Sequence, residues 1–314
     1  MTKKAKKNLS TLLKIIVTLV ALAIVIQQVD LQAIGNILLH ANLSWVAVGF
    51  LLFNVSLIVR AYRWLLLLQG LGVQITFRRL VALYFVGNFF NTALPSGFGG
   101  DVVRVVEVAR DVPTTTATGT VILDRLTGLI MLFIMGVVVL PWQTAVLSSI
   151  LTWLIIVGAV GGIIGSAVLL EGSLIRRWGR WLPGPLSPIG GGFLAQLLQA
   201  VQGCGWRAVT SATAVSVVFN LMLAGWWYAA GMALGHRIDF VYYVAIMPLV
   251  SVPLLLPSIA GLGPRELLVP TLFAAVGLTA ETAVSISLLI FAIIRISGLF
   301  GAPIYLISLF NQKS

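Results

Sequence analysis

Apolar windows of roughly 20 residues, the length a helix needs to cross a bilayer, recur along the chain from Leu12 to Phe310. A water-soluble fold cannot hide that pattern, because 59% of the residues are hydrophobic and only 9% are charged. Within lipid every backbone polar group must be satisfied inside the segment, which makes helices the spanning structures for runs of this length. The expectation is an all-α polytopic membrane protein whose residues 1–314 form a single transmembrane domain.

Six full spans are expected, over 12–29, 44–68, 118–140, 144–170, 208–233 and 283–308. The first follows a basic leader, but no small-residue cleavage site of the Ala-x-Ala kind succeeds it, so it is read as a retained helix. The net charge of +11 would point to nucleic acid in a soluble chain. Its distribution argues against that partner. Of the fourteen Lys and Arg residues outside the expected membrane core, thirteen fall on one side and only Arg237 on the other. Flanks of this kind are cytoplasmic, so a bacterial inner (cytoplasmic) membrane protein with both termini in the cytoplasm is expected. The turn-rich stretch 171–207 is the expected cytoplasmic connector.

Two apolar runs are broken. Residues 80–94 are too short to cross comfortably, Pro95-Ser96-Gly97-Phe98-Gly99-Gly100 stops the helix, and 101–110 returns carrying charge. Residues 240–256 and 265–276 repeat this around Pro257 to Pro264. Gly72 stands five residues before Phe77, and Gly235 five before Phe240. These features predict two re-entrant helical hairpins entering from opposite faces. They would belong to an inverted-topology repeat with units 44–140 and 208–308, an arrangement that places substrate at the repeat interface.

Ten charges fall within the apolar zone: Arg60, Arg63, Asp101, Arg104, Glu107, Asp124, Arg125, Arg265, Glu266 and Arg295. Buried ions are costly unless paired or wetted, so each needs an account. Six are positive and four negative, and surplus guanidinium groups suit an anionic guest such as phosphate. Arg60 and Arg63 share a helix face, with snorkelling to the headgroups as their alternative role. Asp101 is placed to cap the returning half-helix, with Asp101, Arg104 and Glu107 as local pairing partners. Asn88 and Asn91 are hydrogen-bonding candidates for a headgroup, or else glue between helices. The substrate-binding set is thus Arg60, Arg63, Asn88, Asn91, Arg104 and Arg125. Asp101, Glu107, Asp124, Arg265, Glu266 and Arg295 form the ion-pair or gating set, with Asp124 or Glu266 expected to partner Arg295 and Glu266 expected to cap its helix or latch an arginine. His40 and His236 lie in connections with no nucleophile arrangement. No metal-binding, nucleotide-binding or hydrolase motif is present, and no cofactor or catalytic residue is assigned.

The run Arg60-x-x-Arg63-Trp64, then Gly72, Phe77, Tyr84-x-x-Gly87-Asn88-x-x-Asn91-x-x-Leu94-Pro95, Gly99-Gly100-Asp101-x-x-Arg104, Asp124-Arg125 and Gly261-x-Gly263-x-Arg265-Glu266 resembles the lysylphosphatidylglycerol synthase transmembrane-region family over nearly the whole chain. The resemblance implies a flippase-like module and functional importance for Arg60, Asn88, Asn91, Asp101, Arg104, Asp124, Arg125 and Glu266. Some relatives carry a soluble aminoacyltransferase domain. This chain ends directly after the last span, so that activity is not expected here. The expected function is passive or ion-coupled transport of an anionic phospholipid or a polyprenyl-phosphate-type lipid, bound between the two hairpins by Arg60, Arg104 and Arg125. Lipid-biosynthesis enzymes and further copies of the chain are the other expected partners. The alternatives are a lipid-modifying enzyme and a non-transporting partner in envelope biosynthesis.

Overall fold

The computed structural model describes residues 3–93, 99–143, 147–171, 177, 193–255, 258 and 261–310, and all regular structure among them is helical. Helix α1 (Lys3–Gln28) stops at Asp30, whose carboxylate accepts from the Gln32 and Ala33 N–H groups and so starts α2 (Leu31–Leu39) as a separate helix. The two meet at 88°; the span expected at 12–29 falls on α1, and the bend lies between it and the separate helix α2. Asn42 caps α3 (Leu43–Gly70) in the same manner.

There follow α4 (Phe77–Ala93), α5 (Gly99–Val108), α6 (Thr114–Val139), α7 (Ser149–Glu171), α8 (Phe193–Gly203) and α9 (Gly205–Ala233). The chain continues through α10 (Phe240–Ser251), α11 (Pro264–Ala274), α12 (Ala280–Leu299) and α13 (Gly301–Phe310). Among the described residues, four helical stretches are long and apolar enough to cross a membrane: Leu43–Gly70, Thr114–Trp142, Gly205–Ala233 and Ala280–Ser308. The bent α1–α2 pair makes a fifth when taken as one span. The expected span at 144–170 is realised as α7, 23 residues from Ser149 to Glu171 that include the apolar stretch Ser149–Gly165. The breaks at Pro95 to Phe98 and at Pro257, and most of the 171–207 connector, lie outside the described residues.

Helices α4 and α5 pair antiparallel. At one end Gly87 and Gly100 meet backbone to backbone, so closely that a Cβ on Gly100 would strike the Gly87 carbonyl, and the Gly100 N–H donates to Asn91 Oδ1 at 2.7 Å. At the other end Arg79 bridges Asp111 at 2.8 Å and donates to the Glu107 carbonyl at 3.2 Å. Helices α10 and α11 pair likewise through the Tyr242 hydroxyl, which donates to the Leu272 carbonyl, and through the Tyr242 and Tyr243 rings on Phe273.

The packing maps onto itself when α3, α4, α5, α6 and α7 are exchanged with α9, α10, α11, α12 and α13. Helix α3 packs on α9 along its length, α3 on α4 as α9 on α10, and α5 on α6 as α11 on α12. The crossed contacts correspond too, α4 with α12 and α10 with α6. The turns agree in detail. Leu71 and Leu234 end α3 and α9, and Gly72 and Gly235 follow at φ 73° and 83°, a backbone region where a side chain is strained.

Candidate functional site

The charged centre lies in the first half of the fold, where α3, α4, α5 and α6 converge. Asp124 on α6 is fully buried and accepts three hydrogen bonds from three helices. Arg63 Nε of α3 donates at 2.7 Å, an Arg104 terminal nitrogen of α5 donates at 3.0 Å, and the Tyr84 hydroxyl of α4 donates to the same oxygen as Arg104. A second Arg63 nitrogen reaches Ser216 Oγ of α9 at 3.1 Å. The guanidinium fits there because Gly128 has no side chain in its way.

Arg104 is held by its ring neighbours as much as by its charge partners. Its guanidinium carbon lies 4.5 Å from the Trp64 ring centre and 4.1 Å from that of Tyr84, a cation–π arrangement worth most where water is excluded. Trp64 is itself fixed by its indole N–H, which donates to Thr120 Oγ1 at 3.2 Å. Asp101 pairs with Arg104 at 3.4 Å and closes a second ion pair with Arg125.

A small cleft opens between α3, α4 and α5, lined by Leu57, Arg60, Tyr84, Gly87, Asn88, Asn91, Gly100, Asp101 and Arg104. Its interior volume of about 20 Å³ is room for about one water molecule. Three donors on this lining are buried with no acceptor among the described residues: Arg60 Nε, Arg104 Nε and Asn88 Nδ2. Arg60 has aromatic neighbours in place of acids, its guanidinium carbon 5.0 Å from the Tyr84 ring centre and 5.4 Å from that of Phe219. Burying unpaired donors is costly, so three around one cleft form an unsatisfied demand for acceptor oxygens. The four arginines 60, 63, 104 and 125 face two aspartates, 101 and 124, which leaves two positive charges in surplus.

Of the expected substrate-binding set, Arg60, Asn88, Asn91 and Arg104 line this cleft. Arg63 neither snorkels nor faces the cleft, because the fully buried Asp124 takes it inward. Arg125 points away from its neighbour Asp124, toward Asp101, and lies outside the lining. This cleft lies within the first half, between α3 and one hairpin, whereas the chamber expected from the sequence lies between the two hairpins.

The gating set divides similarly. Asp101 and Asp124 belong to the centre just described. Glu107 pairs with Arg110 at 3.0 Å, leaving Arg104 to Asp101 and Asp124. Arg265 pairs with its own neighbour Glu266 at 2.9 Å and donates to the Ser287 carbonyl at 3.1 Å. Glu266 also accepts from the Gly263 N–H at 2.7 Å and from Ser287 Oγ at 2.8 Å, so it is both cap and latch. The expectation for Arg295 is corrected. It meets neither Asp124 nor Glu266 but donates to the carbonyls of Asn91 and Thr92 at 3.1 and 2.7 Å. Those are among the last carbonyls of α4, which lack intrahelical donors and carry the negative end of the helix dipole.

Tyr84 and Trp64 stand in the motif without a site role assigned to them, and Gly128 stands outside it. Tyr84 could have been found, since Tyr84, Asn88 and Asn91 fall at i, i+4 and i+7 and so share one face of α4. Trp64 and Gly128 carry no such signal, because their roles arise across helices.

Residues 11–300 match the family described as the lysylphosphatidylglycerol synthase TM region. The chain is also 22% identical over 306 residues to a UPF0104 membrane protein of Pyrococcus horikoshii, an alignment covering 88% of this chain and 90% of that one. The matched region is the membrane part of those synthases, and with the membrane-length helices it makes this a multi-pass, lipid-related, flippase-like protein.

Proposed function

This chain belongs to the lysylphosphatidylglycerol synthase TM region family, and we propose that it moves an anionic phospholipid, or a lipid-linked substrate with the same phosphate chemistry, across the cytoplasmic membrane. The observation that carries this reading is the convergence of Arg60 Nε, Arg104 Nε and Asn88 Nδ2, all buried without acceptors, on one cleft with surplus positive charge. A phosphate offers several acceptor oxygens and negative charge together, the chemistry these donors need.

With room for about one water, the cleft is closed to a headgroup. Opening it requires α4 and α5 to part from α3 and α6, which loosens Arg104 from Asp124 while Asp101 moves with Arg104 on α5. The phosphate then takes the place of a carboxylate on Arg104, while Asp124 keeps Arg63. Departure of the lipid lets Asp124 recover Arg104, so the carboxylate stands in for the headgroup between cycles. Transport is passive or coupled to an ion gradient.

In this reading six spans and two re-entrant hairpins make up the membrane domain, with both termini in the cytoplasm. The hairpins α4–α5 and α10–α11 enter from opposite faces, within repeat units 44–140 and 208–308. The correspondence of helix packing between the halves supports the repeat.

The test is reconstitution into vesicles carrying labelled phosphatidic acid or phosphatidylglycerol, with leaflet exchange followed under proton gradients of both directions. Accelerated exchange that disappears in Arg60→Ala supports transport. Exchange unchanged by the protein in every condition overturns it.

A further inference from the structure

The two halves of the fold differ where their second half-helices meet the surroundings. In the second half, α11 is covered. Helix α1 lies against it, with Gly263 facing the Thr18 carbonyl and Ala21, and Leu267 packs on Val25, Ile34 and Val284. In the first half, the counterpart α5 packs on α4 and α6, and no described helix covers its other side. Every fourth residue of α5 turns inward, Gly100, Arg104 and Val108, whereas Val102 and Val106 stand 61% and 56% exposed. Val102 thus lies between two cleft residues, Asp101 and Arg104, on the outer surface of the helix that supplies them.

The halves also differ in polarity. Counting along the chain at the interval that separates Gly72 from Gly235, the second half has Met247, Ser251 and Leu254 where the first has Tyr84, Asn88 and Asn91. It has Leu223 where the first has Arg60. The anion cradle is therefore built once, beside the half-helix that is left bare.

The cleft is lined almost wholly by polar and charged side chains and two glycines, with Leu57 the one aliphatic side chain, so it suits a headgroup and not an acyl chain. The tails of any lipid whose phosphate it takes must run along the outside. We infer that the Val102–Val106 face of α5 seats those acyl chains, which makes this side the lateral portal by which a phosphate-bearing lipid enters from the bilayer. The portal rests on the anionic-lipid reading above. Helix α1 covers the equivalent side of the second half, so of these two faces only that of α5 is open among the described residues.

The experiment places a photo-crosslinking benzoylphenylalanine at Val102, and in a separate variant at Leu19, an exposed residue of α1. The full chain is reconstituted in phosphatidylcholine vesicles doped with phosphatidic acid, and the lipid adducts are identified by mass spectrometry. Adducts at position 102 should be enriched in phosphatidic acid by about tenfold over the bulk ratio, as charge-assisted hydrogen bonds to a phosphate provide. Adducts at position 19 should follow the bulk ratio, and Arg60→Ala should bring position 102 down to it. Bulk-ratio adducts at 102, from protein that still co-purifies with phosphatidic acid, overturn the portal and leave the headgroup site standing. Protein that retains no phosphatidic acid in any variant overturns the headgroup reading and the portal with it.

Discussion

Arg104 reaches from α5 to Asp124 on α6 at 3.0 Å with one terminal nitrogen, and leaves its Nε without an acceptor on the wall of the cleft. One guanidinium is thereby both a structural cross-brace and an open donor. The two functions can be separated by choosing which neighbour to remove.

Replacing Asp124 with Asn leaves Arg63 buried with a neutral partner and Arg104 with Asp101 alone. Stranding buried charge in this way costs about 3–5 kcal/mol, so the unfolding temperature in detergent should fall sharply. The double variant Asp124→Asn with Arg63→Met, which also removes a stranded cation, should recover part of that loss. Equal instability of single and double variants would show that Asp124 acts by something other than charge balance.

Arg60→Ala tests the open donors. The interactions that hold Arg60 are the rings of Tyr84 and Phe219, contacts worth about 0.5–2 kcal/mol. Stability should change little, while co-purifying anionic lipid, measured by native mass spectrometry, should drop by about tenfold or more for the loss of a charge-assisted bond. Unaltered lipid content would remove Arg60 from the headgroup site.

Arg295→Ala removes the side chain that bonds the last carbonyls of α4. Hydrogen bonds to a charged group contribute about 1.5–3 kcal/mol, so a moderate fall in thermal stability is expected. The choice among lipids should be preserved, because Arg295 lies outside the cleft lining. A changed lipid preference with normal stability would make it a ligand-contacting residue instead.

Gly100→Ala and Gly72→Ala form a contrasting pair. A Cβ at Gly100 meets the Gly87 carbonyl, backbone against backbone, whereas Gly72 has nothing within 4 Å and only its φ of 73° to object. The first should cost at least about 1–3 kcal/mol, as overpacking does, and should part α4 from α5. The second should cost about 1–2 kcal/mol, the penalty for a side chain in a left-handed conformation. Comparable, mild effects on thermal stability would show that the α4–α5 crossing is loose.

The membrane class, the positions of most helices and the charged inventory are all legible along the chain, because each depends on local composition. An apolar run of bilayer length is helical wherever it is placed. The motif around Arg60, Asn88, Asn91 and Arg104 reads as one group for the same reason: helical periodicity fixes which residues of a segment share a face. Partnerships across helices are not local. Arg63 and Asp124 are separated by most of the first half of the fold, and nothing near Arg295 in the chain announces that it will satisfy carbonyls of α4.

The sequence by itself determined that guanidinium groups would lie within the apolar segments in excess of their acids. Tertiary structure alone decided which of them were quenched and which were left with a bare N–H on a cleft. That depends on the angle and depth at which α3, α5 and α6 cross, and so on where a glycine such as Gly128 lets a side chain pass. Burial makes the difference chemically large, since a donor without an acceptor is costly only where water cannot reach it.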